Sequence, residues 1–343
     1  MRDVRHFKVD ADNDGQRLDR WIKANVPDLS YGLAQKLMRK GQIRVEGKRA
    51  KPDMRLTEGQ DIRIPMPDAK EIAVKKQTEK KRKLSQGDID FIRSLVIFDD
   101  GDVIALNKPA GLAVQGGTKT RRHVDGMLEG LKNKNGVVPR LVHRLDKDTS
   151  GVLLLARSAE AARKLGEAFK GRGVKKIYWT IVSPAPEMLQ GTIRAAIAKG
   201  QGGRKEKMLV DDEHGKSAVT EYAVLESAGK QAAFVAFWPR TGRTHQIRVH
   251  AQLMGSPIIG DGKYKSDRPE HEKEYEHIPP EADFERLGLA KRLHLHARRI
   301  ILPHPLRKSV LDISAPLPSE LVKSWKTLGF SPNNKDNPFE HMD

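Results

Sequence analysis

Apolar residues along this chain follow two rhythms, one helical and one alternating, and the change falls near residue 90. Within residues 16–64, Leu18, Trp21 and Ile22 are spaced as one face of a helix, and Leu33, Leu37 and Met38 repeat that spacing after Ser30. Ser30 is the expected N-cap of the second helix and Gly41 its stop. Short strands are predicted at 43–45 and 61–64, with Glu46-Gly47 as a turn. Lys36, Arg39, Lys40, Arg44, Lys48 and Arg49 fall outside the apolar set, so folding gathers them on one surface.

Beyond residue 90 the pattern becomes β-rich with intervening helices. Residues 95–98 and 103–106 flank Asp99-Asp100-Gly101-Asp102, a hairpin signal without the ligand spacing of an EF-hand loop. Residues 152–156 form a continuous apolar run, as a buried strand does, and Ser158 caps a helix that reaches Phe169 before Gly171. Alternation over 176–182 sets Lys176, Tyr178 and Thr180 on one strand face and Ile177, Trp179 and Ile181 on the other. Strands follow at 218–225 and 232–238. Thr244 is the expected N-cap of a helix through Met254, ended by Gly255 and Pro257.

The length, 343 residues, accommodates about two domains at roughly 150 residues each. Charge adds a partner: 63 Lys+Arg against 45 Asp+Glu leave +18, which points to a polyanion and first of all to nucleic acid. Residues 1–66 carry a net of +5, and Lys75–Lys83 holds six bases against one acid, as a basic linker would. Residues 265–290 run the other way, with eight acids against four bases, and read as a surface insertion turned away from phosphates. The absence of cysteine excludes disulfides, Cys-ligated zinc, iron–sulfur clusters and thiol nucleophiles. The longest aliphatic run, 152–156, is far short of the ~20 residues that span a bilayer, and charged residues follow Met1 where a signal peptide would be apolar. A cytoplasmic protein without membrane contact is expected.

Candidate chemistry concentrates in two segments. In His143-Arg144-Leu145-Asp146-Lys147-Asp148-Thr149-Ser150-Gly151, titratable side chains are wedged between apolar runs, where folds present reactive groups; a polar turn with local backbone bonds is the alternative. Asp146 and Asp148 also suggest a Mg²⁺ pair, against which Arg144 and Lys147 would compete. Thr241–His250 lies at a strand-to-helix junction, where Arg243 is able to grip a carboxylate or phosphate in two places, or to tie two elements together. The histidines at 245, 250, 294, 296 and 304 match no zinc spacing, so no metal site is expected.

These blocks carry a resemblance. HRLDKDTSG (143–151), KIY (176–178), GKSAVTEY (215–222), TGRTHQIRVHAQLMGSPIIGD (241–261), LHLHA (293–297) and LNKPAGLAV (106–114) stand in the order of the motifs of RluA-type pseudouridine synthases. Residues 95–315 are similar to that family, and the first 65 residues resemble an S4 RNA-binding domain. Gln115, where many relatives carry His, is a departure. The resemblance implies an α+β fold, with a mixed, mainly antiparallel sheet and flanking helices behind a small α/β S4 module. The implied domains are an S4-like 1–66, a basic linker 67–90, a catalytic 91–330 and a C-terminal tail 331–343. It implies an isomerase that needs no cofactor and no obligate protein partner, acting on ribosomal RNA of the large subunit. Asp146 then matches the catalytic aspartate, Arg243 the arginine paired with it and Tyr178 the tyrosine that stacks on the base. Arg144, Lys176, His245 and Gln246 are placed as substrate-binding, and Lys36, Arg39, Lys40, Arg44, Lys48 and Arg49 as RNA-binding. An inactive RNA-binding or ribosome-assembly factor and a Mg²⁺-dependent phosphodiesterase on Asp146 and Asp148 stand as alternatives.

Overall fold

The computed structural model describes residues 3–66, 84–117, 120, 122–171, 173–200, 207–265, 284, 286–340 and 342. The chain divides into two compact units, Met1–Lys83 and Leu84–Asp343. The basic run Lys75–Lys83 and most of the acidic 265–290 stretch lie outside the described residues.

In the first unit, β1 (Val4–Lys8), β2 (Arg44–Val45), β3 (Lys48–Arg49) and β4 (Asp61–Pro65) form a sheet in the order β1-β4-β2-β3. Helices α1 (Leu18–Asn25) and α2 (Tyr31–Arg39) share a core with that sheet, through Leu18, Trp21, Ile22, Leu37, Met38, Ile62 and Ile64. The expected cap is made, since the Ser30 side chain accepts from the Leu33 N–H at 3.3 Å. Glu46 and Gly47 both adopt left-handed backbone (φ 50° and 69°), as the two-residue turn between Val45 and Lys48 requires. Strand β1 was not expected: its five residues carry two apolar side chains, both only half-buried, and its pairing with β4 supplies what its pattern lacks.

The second unit opens with α3 (Gln86–Ser94), which corrects the expected linker. Ser85 caps it, accepting from the Asp88 N–H at 3.1 Å, and Ile92 is fully buried. There follow β5 (Val96–Asp99), β6 (Val103–Lys108), the short α4 (Val124–Met127), β7 (Arg140–Leu141), β8 (Ser150–Ala156), α5 (Ala159–Lys170) and β9 (Lys175–Val182). The chain then forms β10 (Gln190–Lys199), β11 (Met208–Val210), β12 (Lys216–Ala228), β13 (Ala232–Pro239), α6 (Gln246–Leu253), β14 (Leu295–Pro303), β15 (Val310–Ser314) and α7 (Ser319–Thr327). Among the described residues the strands join one mixed sheet, β11-β10-β12-β13-β9-β14-β8-β6-β5, with β15 on β14 and β7 on β8.

Strand pairings in this sheet are antiparallel except one. β14 and β8 run parallel, with Ser150 opposite His296 and Gly151 opposite Ala297. Gly151 has φ +113°, and a Cβ there would stand 2.2 Å from the Ala297 carbonyl oxygen, so only glycine permits the approach. The inward alternation of β9 is as expected: Ile177, Trp179 and Ile181 join Phe234, Trp325 and Phe330 in one core. The last residues are no free tail. Phe339 is buried near Trp238, with ring centroids 5.8 Å apart, and Lys175 Nζ donates to the carbonyls of Phe339 and Met342.

Gly151→Ala is expected to cost about 3 kcal/mol, lowering the second unit's melting temperature by roughly 6–12 °C. A change under 2 °C in scanning calorimetry would show that the two strands do not approach this closely.

Candidate active site

Three chain segments converge on one cavity of about 310 Å³: the loop from His143 to Thr149, the first half of β9, and the junction from Pro239 to Arg248. Arg144, Asp146, Lys176, Tyr178, Arg243, His245 and Gln246 all line it. The register brings them together: Tyr178 lies opposite Phe237 on β13 and Ala297 on β14, while Ser150, which ends the Asp146 loop, lies opposite His296.

Buried polar anchors hold the loop. His143 Nε2 accepts from the Leu154 N–H at 2.8 Å, and its ring stacks on Phe169 at 4.4 Å. Burial, and then Lys176, push the His143 pKa down to about 3, so the imidazole is a neutral acceptor. Lys108 is wholly buried and donates to the carbonyls of Pro109, Leu112 and Lys147 at 2.8, 2.9 and 3.1 Å. Its pKa is pulled to about 7 by burial and by Arg292, and back up by Asp148 and Asp146. A buried ammonium thus pins the strand end of β6 to the loop that carries Asp146.

Asp146 is half-buried, and its Oδ2 lies 3.8 Å from His245 Nε2. The ion pair expected between Asp146 and Arg243 is not formed. Arg243 is exposed at the cavity rim and its Nε donates to the Ser217 carbonyl at 3.1 Å, because it precedes α6 and points along β12. The buried arginine that interacts with Asp146 is Arg248, which pairs with Asp261 at 2.7 and 2.6 Å. Both are buried, and the pair holds the guanidinium in the cavity wall. Its sequence signal was an arginine inside the apolar helical run Ile247, Val249 and Ala251.

Gln246, expected to bind substrate, has no amide group to spare. Its Oε1 accepts from Thr241 Oγ1 (2.7 Å) and the Arg243 N–H (3.0 Å), while Nε2 donates to the Val219 carbonyl and to Thr220 Oγ1, both at 2.9 Å. It ties the junction to β12. Thr244 does not cap α6; His245 stands at that position in left-handed backbone (φ 55°), a strained conformation that aims its ring into the cavity. Lys176 is half-buried and its pKa is lowered by burial. Burial first and Asp146 second push the Tyr178 pKa up, which leaves a neutral phenol at the cavity wall. A carboxylate, a phenol, an ammonium and a guanidinium around one hole are equipped for polar chemistry at a ring or a sugar.

Asp148 is exposed, and the acidic hairpin turn is engaged elsewhere. Asp100, Asp102 and His304 come close together, but Arg307 pairs with both acids and Arg157 with Asp99. In the first unit all six predicted RNA-binding residues are exposed on α2 and the β2–β3 hairpin. Arg44 lies directly opposite Arg49, a like-charge pair that a phosphate would relieve.

Two known families match the chain: RNA pseudouridylate synthase over residues 102–253 and S4 domain over residues 16–62. The ribosomal large subunit pseudouridine synthase C of Rickettsia bellii is 35% identical across 88% of this chain and 95% of its own length. That of Salmonella typhi is 33% identical across 95% and 97%. Among solved structures, human RNA pseudouridylate synthase domain containing 4 shares 30% identity with a TM-score of 0.58, covering 71% of this chain and 97% of its own.

Asp261→Asn strands the Arg248 charge and is expected to cost about 3–5 kcal/mol, whereas Arg248→Met combined with Asp261→Asn, which keeps an acceptor for the Lys263 and Tyr264 N–H groups, recovers part of that loss. Calorimetry of both variants checks this; equal melting temperatures for the single variant and the parent would remove the pair from the site's foundations.

Proposed function

The chain belongs to the RNA pseudouridylate synthase family, and from that premise we propose that it isomerises specific uridines of large-subunit ribosomal RNA through Asp146. Its activity is pseudouridine formation in RNA, with an S4 domain ahead of the catalytic one. The observation that carries the residue assignment is the single cavity in which Asp146, Tyr178, Lys176 and Arg248 meet from three chain segments.

In the reaction the uridine N1–C1′ bond breaks, the base turns, and a C5–C1′ bond forms; C5 loses a proton and N1 gains one. Asp146 either attacks C1′ or takes the C2′ proton. The Arg248 guanidinium in the cavity wall and the His245 ring flank that carboxylate. Tyr178 stacks on the base as a neutral phenol and assists loss of the C5 proton through a water. Lys176 steadies the turning base or a phosphate. The target nucleotide leaves its stack, which costs a few kcal/mol, and the exposed Arg144 and Arg243 at the rim offset that by holding the displaced backbone. The relatives' names favour large-subunit RNA. No helix among the described residues is long and apolar enough to cross a membrane, and the cytoplasm is where we place the reaction.

The test is incubation with a large-subunit ribosomal RNA transcript in EDTA, followed by mapping of carbodiimide-dependent reverse-transcription stops. New stops are expected with the parent and none with Asp146→Asn, whose affinity for the transcript stays within about threefold. Full turnover by Asp146→Asn would overturn the assignment, and strand cleavage restored by Mg²⁺ would indicate a nuclease. For the S4 face, Arg44→Gln with Arg49→Gln is expected to lower the slope of log K against log salt by about 1.5–2, as two phosphate contacts are lost. An unchanged slope would take the hairpin off the RNA.

A further inference from the structure

His245 touches more than Asp146. Its Nδ1 lies 2.7 Å from the hydroxyl of Tyr264, a side chain buried to 2% exposure, and the two rings meet edge to face at 5.5 Å. That hydroxyl also accepts from the Met208 N–H at 2.8 Å. Tyr264 is itself held in place: its backbone N–H and that of Lys263 donate to Asp261 Oδ1 at 3.1 and 2.9 Å, and the Arg248 guanidinium lies 4.9 Å from its ring centre. Asp261 therefore anchors both the buried arginine and the tyrosine.

The neighbours of His245 favour one tautomer. Burial pushes the Tyr264 pKa up, so the phenol keeps its single proton. One lone pair takes the Met208 N–H, and the O–H is free to point at His245 Nδ1. The imidazole then carries its own proton on Nε2, the atom 3.8 Å from the Asp146 carboxylate. The opposite tautomer would aim a lone pair at that carboxylate and is disfavoured. Burial lowers the His245 pKa while Asp146 opposes it; Arg248 and Lys263 lower it and Asp261 raises it.

We propose that Tyr264 is a positioning residue for the isomerisation, acting through His245 to present an Nε2–H that orients Asp146. This rests on the assignment of Asp146 as the reacting carboxylate. A separation of 3.8 Å is one that catalytic hydrogen bonds commonly show in free enzymes.

Tyr264→Phe removes one oxygen and keeps the ring. Assayed on the large-subunit transcript, it is expected to lower kcat about 10- to 100-fold with KM within twofold. The titration of His245 followed by nitrogen-15 spectra against pH is expected to move up by about half to one unit, because the neutral imidazole has lost the donor at Nδ1. In a His245→Gln background, whose amide still offers an N–H, Tyr264→Phe should have no further effect. A parent-like kcat and His245 titration, or an equal loss in both backgrounds without a shift of that titration, overturns the proposal. Nitrogen-15 spectra of the unaltered enzyme, assigned against His245→Gln, give a reading independent of how the variants fold: a proton on Nε2 is expected, and one on Nδ1 refutes the relay. Activity retained by Asp146→Asn would mark failure of the underlying reading instead.

Discussion

The whole catalytic unit depends on the short parallel contact between β8 and β14. On one side of it run β11, β10, β12, β13, β9 and β14, and on the other β8, β6 and β5, each set antiparallel within itself. Without that contact they would be two smaller sheets, each with an exposed edge. It holds because Gly151 lets its backbone come within a distance of Ala297 that no side chain tolerates. The loop bearing Asp146 ends one residue before this point, and Tyr178 is the β9 neighbour of Ala297. The joint that unifies the sheet also brings Asp146 and Tyr178 to one cavity.

Around that joint lie several buried polar groups whose partners also serve the site. Lys108 uses its ammonium to bind loop carbonyls, His143 uses a neutral ring nitrogen to hold β8, and Gln246 spends its whole amide on the junction before α6. Arg248 and Asp261 form a buried bidentate pair. A half-satisfied set of this kind would cost more than an apolar core. These contacts fix the loop and the cavity wall around the Asp146 carboxylate.

Much of the fold was legible in the chain itself. Strong apolar patterns, at 152–156, 176–182 and 232–238, became strands close to where they were expected, and Ser30 and Ser158 cap as their positions predict. Weakly patterned elements were missed. β1 has two apolar residues, and β10 alternates exposed and half-buried positions at the sheet margin. Helix α3 hid behind the basic run, and the docked segment around Phe339 has a single strong anchor. In each case a neighbouring element supplies the burial that the local pattern lacks.

By itself the sequence determined the two-part organisation, the polyanion partner and the type of chemistry open to a cysteine-free chain, and it singled out the loop that carries Asp146. Each of these follows from residue identity or from the order of motifs along the chain. Tertiary structure alone decided which arginine stands behind Asp146 and which residues support it. Arg243 and Arg248 are five positions apart and equally charged, and only their placement before and within α6 sends one to the rim and the other into the wall. Tyr264 gains its place through contacts with Met208, His245 and Asp261, which no local spacing announces. Partners distant in sequence are chosen by strand register and burial, and these exist only once the sheet has closed.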